Sequence, residues 1–107
     1  MVKNWTREYY GAIHAVDRNL GRLLAKLDEL NLSQKTIVVF TSDHGEEFAD
    51  RSGDSFFNVH GHNLYEEMVR VPLIVKLPGQ RHAGARVREV TRAIDVLPTV
   101  LRANVGQ

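Results

Sequence analysis

The stretch that most limits what this chain can become is Thr36-Ile-Val-Val-Phe-Thr-Ser-Asp-His-Gly-Glu-Glu47. Six of its first seven residues are β-branched or aromatic, and residues of that kind predict a strand from Thr36 to Thr41 or Ser42. The apolar run is nearly continuous instead of alternating, the pattern of a strand covered on both faces in a parallel sheet. Asp43, His44 and Gly45 follow at its C-terminal end. In open α/β sheets, ligands bind at the carboxyl ends of strands. A carboxylate and an imidazole therefore arrive together where such a fold does its chemistry.

The rest of the chain supplies partners for that strand. Upstream, Tyr9, Ile13, Val16, Leu20, Leu23, Leu24, Leu27 and Leu30 recur at three- and four-residue spacing. They predict an amphipathic helix over about Thr6 to Leu30, with Thr6 as N-cap and Glu8 in the first turn. Gly21 inside this helix suggests close packing against a neighbour. Downstream, Glu46 to Val59 reads as a polar loop with a turn cluster at residues 50–55, pinned by Phe56 and Phe57. Leu64 to Val69 reads as a short helix and Val71 to Leu77 as a second buried strand, with Pro72 tolerated at its start and Pro78-Gly79 ending it. A basic loop covers Gln80 to Arg88, an extended segment is expected over Val87 to Ala93, and a last helix starts with Asp95 as N-cap and Pro98 in its first turn. This alternation implies parallel strands joined by crossovers, an α/β layer fold.

At 107 residues the chain is one domain at most. Fourteen basic against thirteen acidic residues give a net charge of +1, which does not point to nucleic acid. No run is apolar enough to span a membrane. The N-terminal residues lack the apolar core of a signal peptide, so a cytoplasmic location is the default expectation. The absence of cysteine rules out disulfides, zinc–thiolate sites and a cysteine nucleophile within these residues.

Among the polar residues, an Asp oxygen beside a His nitrogen suits Zn²⁺ or Mn²⁺ better than Ca²⁺, which favours shells of oxygen alone. The plainer reading of the pair is a turn-capping Asp43 and a polar loop His44. His60-Gly-His62 adds two imidazoles ahead of the second strand, of which one is expected at the site. Glu46 and Glu47 offer a general base or a partner for a ligand, against the commoner role of a carboxylate pair at a helix N-terminus. His14 and His82 read as solvated, Arg70 as one side of a salt bridge, and Arg81, Arg86, Arg88 and Arg92 as solvated surface. Ser42 has no base-and-orienter arrangement around it that would make a serine nucleophile.

Taken in order, Thr41-Ser-Asp-His-Gly-Glu46, His60-Gly-His-Asn-Leu-Tyr-Glu-Glu67, Arg70-Val-Pro-Leu-Ile-Val75 and Pro78-Gly79 closely resemble the C-terminal half of the sulfatases, within the alkaline phosphatase superfamily. Tyr10-Gly-Ala-Ile-His-Ala-Val-Asp-Arg-Asn-Leu-Gly-Arg22 resembles the family's helix before the metal strand, and Ile94-Asp-Val-Leu-Pro-Thr-Val-Leu101 its later Asp–Pro–Thr–Leu segment. Several motifs in the right order make the resemblance specific. It implies a partial alkaline-phosphatase-like layer fold, with a mostly parallel sheet flanked by helices, over 1–107 as a single domain.

The resemblance further implies that Asp43 and His44 ligate a divalent active-site metal. His60 is then the catalytic imidazole that contacts the transferred sulfuryl or phosphoryl group or binds a second metal. Many calcium sulfatases have Asn at the position of His44, so the Asp-His pair points toward the phosphonate and phosphate ester hydrolases, with Zn or Mn ahead of Ca. The family's nucleophile and remaining metal carboxylates belong to an N-terminal half. The chain is thus expected to be a piece of a sulfate, phosphate or phosphonate ester hydrolase, inactive alone, that pairs with that missing half or with itself. The alternative is a non-catalytic sulfatase-like module with a vestigial or structural metal site.

Overall fold

No glycine or proline interrupts the residues before Thr6, so nothing in the sequence stops a helix there. In the computed structural model, which describes residues 2–47, 60–61 and 64–105, helix α1 begins at Val2 and runs to Glu29. Thr6 therefore lies inside the helix and is not its N-cap. The C-terminal end is a Schellman closure. Asn31, at a φ of 55°, donates to the Asp28 carbonyl (2.9 Å), and Leu32 donates to the Leu27 carbonyl (2.8 Å). Thr36 then donates its hydroxyl to the Leu32 carbonyl at 2.8 Å, which turns the chain into the first strand.

Strand β1 spans Val38–Thr41 and β2 spans Leu73–Lys76, each shorter than its apolar run. They pair antiparallel, with Val38 opposite Lys76 and Thr41 opposite Leu73. The α/β class is as expected, but the parallel pairing is not what these two strands adopt. A parallel pair needs a crossover that returns the chain to the starting end of the sheet. Here the only helix between the strands among the described residues is the four-residue α2, Glu66–Val69. Lys76 fixes the far end of the pair by donating its ammonium to the Ser33 carbonyl, and Gly79 N–H reaches the Gln34 carbonyl at 3.1 Å.

Beyond β2, Pro78–Gln80 forms a 3₁₀ turn. Residues 87–92 form no strand. Ala93–Asp95 is a second 3₁₀ turn and α3 follows over Val96–Val105. Asp95 is accordingly the last residue of the turn and not the N-cap of α3. Its carboxylate does cap, but one turn earlier, accepting from the Arg92 backbone N–H at 2.9 Å. No helix of the described residues is long and apolar enough to cross a membrane.

Little of this is buried. Met68, at 5% exposed, is the one hydrophobic side chain of the described residues, apart from Pro78, that is buried. β1 is half-buried and most of β2 is exposed, so the expectation of strands covered on both faces does not hold. Gly21 has no atom within 4 Å of where a Cβ would sit, so it marks no close packing either. The accessible surface is 9378 Å², against about 6,000 Å² for a folded monomer of this mass. The radius of gyration is 17.3 Å, against about 13 Å for a compact domain of this length.

Candidate functional site

A close approach of two backbone segments lies where β1 ends. Gly45 donates its N–H to the Met68 carbonyl at 2.8 Å, which ties the loop after β1 to α2. A Cβ on Gly45 would sit 1.8 Å from the Glu67 carbonyl oxygen. No side chain fits there, so only glycine lets the two backbones approach this closely. Ser42 braces the same loop, its hydroxyl donating to the His44 carbonyl at 2.6 Å. Glu47 in the same loop is buried, 5% exposed.

Asp43 and His44 leave this braced loop on its outer side. Asp43 accepts the His44 backbone N–H on Oδ1 at 3.0 Å, the turn-capping role expected of an isolated Asp. Its own backbone N–H and that of His44 hold its carboxyl below the usual carboxylate range, with a smaller contribution from the His44 ring. His44 Nδ1 lies 2.8 Å from the Gly45 carbonyl oxygen. A carbonyl only accepts, so that contact places the ring proton on Nδ1 and leaves a lone pair on Nε2. Nε2 lies 3.8 Å from Asp43 Oδ2. Two ligands sharing one tetrahedral ion at about 2.1 Å stand roughly 3.4 Å apart. The donor types, tautomer and spacing therefore fit two positions of a metal shell. Among the described residues no third His, Asp or Glu completes a cluster.

His60 comes to the same place from the other side of the connection. Its ring stacks on that of His44, with centroids 4.2 Å apart and planes 23° apart. Its Nδ1 is 3.4 Å from Glu46 Oε2. Glu46, weighed from sequence for a place at a helix N-terminus, lies just before residues 48–59, which are outside the described residues. It sits in the irregular segment after β1, with Oε1 buried and unbonded among the described residues. No spacing rule pairs it with His60, and only the fold brings the two together. His62, Phe56, Phe57 and the turn cluster at 50–55 lie outside the described residues. His14 and His82 are exposed, as are Arg81, Arg86, Arg88 and Arg92. Arg70 pairs with Glu66 at 2.7 Å, the salt bridge expected of it. Tyr65 is 39% exposed.

A cleft of about 650 Å³ opens beside these residues. Tyr9, Ile13, Val16 and Leu20 of α1 form one wall, and Phe40, His44, Glu46 and Arg70 contribute to the other. The α1 wall is mostly apolar, with Asp17 also on it, and His44, Glu46 and Arg70 stand among the residues opposite, a mix common in ligand sites.

Residues 4–105 match the pattern of the sulfatase family. The chain is 42% identical to the steryl-sulfatase of Mus musculus over 102 residues, covering 88% of this chain and 16% of that protein. It is 39% identical over 101 residues to the multifunctional alkaline phosphatase superfamily protein PehA of Trinickia caryophylli, covering 94% of this chain and 19% of that one. Against the N-acetylglucosamine-6-O-sulfatase of Bacteroides thetaiotaomicron the identity is 34% over 103 residues, covering 92% and 17%. The chain thus spans less than a fifth of the length of each of these relatives. No solved structure matches it.

Proposed function

Because the chain belongs to the sulfatase family of the alkaline phosphatase superfamily, we propose that it carries one part of the active site of a metal-dependent hydrolase of sulfate, phosphate or phosphonate esters. Asp43 and His44 are two ligands of a divalent ion in this reading, and His60 is the imidazole that meets the transferred group. The observation that carries it is the convergence of Asp43 Oδ2 and His44 Nε2 to 3.8 Å at the end of β1, with the His60 ring stacked beside them. A nitrogen ligand favours Zn²⁺ or Mn²⁺ over Ca²⁺.

The roles follow from the chemistry of each group. Asp43, held ionised by backbone N–H groups, supplies negative charge without needing a proton removed. The Gly45 carbonyl holds His44 in the tautomer that exposes Nε2. His60 places an imidazole beside the reacting group, where a positioned N–H stabilises developing negative charge or protonates a leaving oxygen. A divalent ion, when bound, supplies Lewis acidity toward the ester oxygen. The nucleophile is assigned to the remainder of a longer sulfatase polypeptide, since the relatives are more than five times as long as their matched segments. These residues are thus one share of a site completed by that remainder.

Calorimetry tests the ligand assignment directly. Zn²⁺ or Mn²⁺ added to the metal-free chain binds, and binding is lost in Asp43→Ala and in His44→Ala. Equal binding by the double variant would remove the assignment. With nitrophenyl sulfate, phosphate and phosphonate esters, the chain alone shows no turnover above the metal-only blank. An Asp43-dependent rate would instead make the chain a self-sufficient enzyme.

A further inference from the structure

The structure assigns Glu46 a role outside the ligand pair: we propose that it is the positioning residue for His60, fixing the ring's tautomer and its stack on His44. Glu46 directly follows Gly45, whose N–H bonds the Met68 carbonyl and whose Cα lies too close to the Glu67 backbone for a Cβ. Its side chain is only 23% exposed, with Oε1 out of water and without a hydrogen-bond partner among the described residues. Oε2 is the oxygen that reaches an imidazole, 3.4 Å from His60 Nδ1. An ionised carboxylate only accepts, so the contact is favourable when Nδ1 carries the proton. That leaves Nε2 as the nitrogen available for chemistry. It is the same tautomer that the Gly45 carbonyl imposes on His44.

The two stacked rings each face an oxygen from the same short turn, His44 a backbone carbonyl at 2.8 Å and His60 a carboxylate at 3.4 Å. A carboxylate left partly dehydrated has an electrostatic reason to keep such a partner. His60 itself is 56% exposed, so the few neighbours it touches must supply its orientation. The catalytic meaning of this rests on the reading of His60 above; the contact does not.

The test is two-bond ¹H–¹⁵N correlation of the imidazole nitrogens in the ¹⁵N-labelled, metal-free chain at neutral pH. His60 is expected in the form protonated on Nδ1. In Glu46→Ala that form is lost and the ring reverts to the Nε2–H tautomer that free imidazole side chains favour. Glu46→Gln, whose amide oxygen still accepts, restores the Nδ1–H form. Glu66→Ala, which removes an exposed carboxylate paired with Arg70, leaves the spectrum of His60 unchanged. A merely structural Glu46 would alter stability in both of its variants without a tautomer change that Gln reverses. The proposal is overturned if His60 keeps one tautomer in all of these chains, or if Gln behaves as Ala does. Zn²⁺ calorimetry on Glu46→Ala separates this from the ligand assignment: retained binding with a changed tautomer supports the positioning role. Failure of the wild-type chain to bind metal would strike the ligand assignment alone.

Discussion

At the corner between β1 and α2, Met68 and Glu47 are each 5% exposed and Gly45 lies against the Glu67 backbone. Along α1, Ile13, Val16 and Leu23 remain 46%, 58% and 58% exposed, although they belong to a regular apolar stripe. The corner is closed by a backbone hydrogen bond and a glycine contact between segments more than twenty residues apart in sequence. The helix has its own backbone bonds and a C-terminal closure, but among the described residues its apolar face borders an open cleft with the half-buried Phe40 on it. An element can thus be fully formed locally and still lack the second layer that a domain packs against it. The groups proposed for chemistry sit on the closed region, whose geometry does not wait for that layer.

Breaking the corner carries the largest expected effect. Gly45→Ala places a methyl group where the Glu67 carbonyl is, and overpacking of this kind costs about 1–3 kcal/mol or more. Separating the backbones also removes the Gly45–Met68 hydrogen bond, worth about 1 kcal/mol. Amide exchange at Met68 and Arg70 is expected to accelerate by more than a hundredfold, with α1 intact by circular dichroism. Unchanged protection at those amides would show that the corner does not depend on the contact. Met68→Ala tests the same region from the side of packing, with an expected loss of about 2–5 kcal/mol.

The open face predicts association. Fully burying a Val or Leu side chain is worth about 1.5–3 kcal/mol, and Val16 and Leu23 are each just over half exposed. Converting both to Glu should remove roughly 3 kcal/mol of association energy, more than a hundredfold in Kd. Light scattering at micromolar concentration should give a mass above that of a monomer for the wild-type chain, falling to the monomer in the double variant. A clean monomer for the wild-type chain would mean that the stripe is not a contact surface.

The contrast also explains what was readable in advance. The helix, both strands and the convergence of Asp43 with His44 follow from local patterns: apolar periodicity, β-branched runs, and a polar pair at a strand end. The antiparallel pairing of β1 with β2 does not, because a strand's direction depends on where its connection travels and not on its own residues. Burial failed for a related reason. An apolar run shows that a strand can be covered, not that it is, and Leu73, Ile74 and Val75 are apolar yet at least 36% exposed. Gly45 was legible as a strand breaker, but its steric necessity depends on Glu67, far away in sequence. The pairing of Glu46 with His60 was illegible for the same reason. Thr6 and Asp95 show the limits of cap rules, since both have the right chemistry and neither is the cap expected of it.

A smaller effect sharpens the comparison through a second glycine. Gly21 lies in mid-helix with open space where its Cβ would be, the opposite of Gly45. Gly21→Ala should therefore stabilise α1 by about 0.5–1 kcal/mol through helix propensity and lower unfolded-state entropy. The measurement is helix content against temperature by circular dichroism. Loss of helicity would mean that the open side of α1 meets a close neighbour after all.

The smallest expected effect concerns the carboxyl of Asp43. Its folded-state pKa is lowered, first by its own backbone N–H and that of His44, then by the His44 ring. A depressed carboxyl pKa contributes stability above the unfolded value of about 3.9, and that contribution is lost as pH falls through the folded value. The side chain is 87% exposed, so solvent screening keeps the contribution small. Carboxyl ¹³C titration of the metal-free chain should place the Asp43 midpoint below about 3.9. His44→Ala should raise that midpoint only in part, because the backbone donors remain. Gly45→Ala should raise it further, because opening the corner releases the turn that aims those donors. If His44→Ala instead restores the ordinary value in full, the ring and not the backbone sets the charge on Asp43. The closed corner would then hold the loop in place without tuning its chemistry.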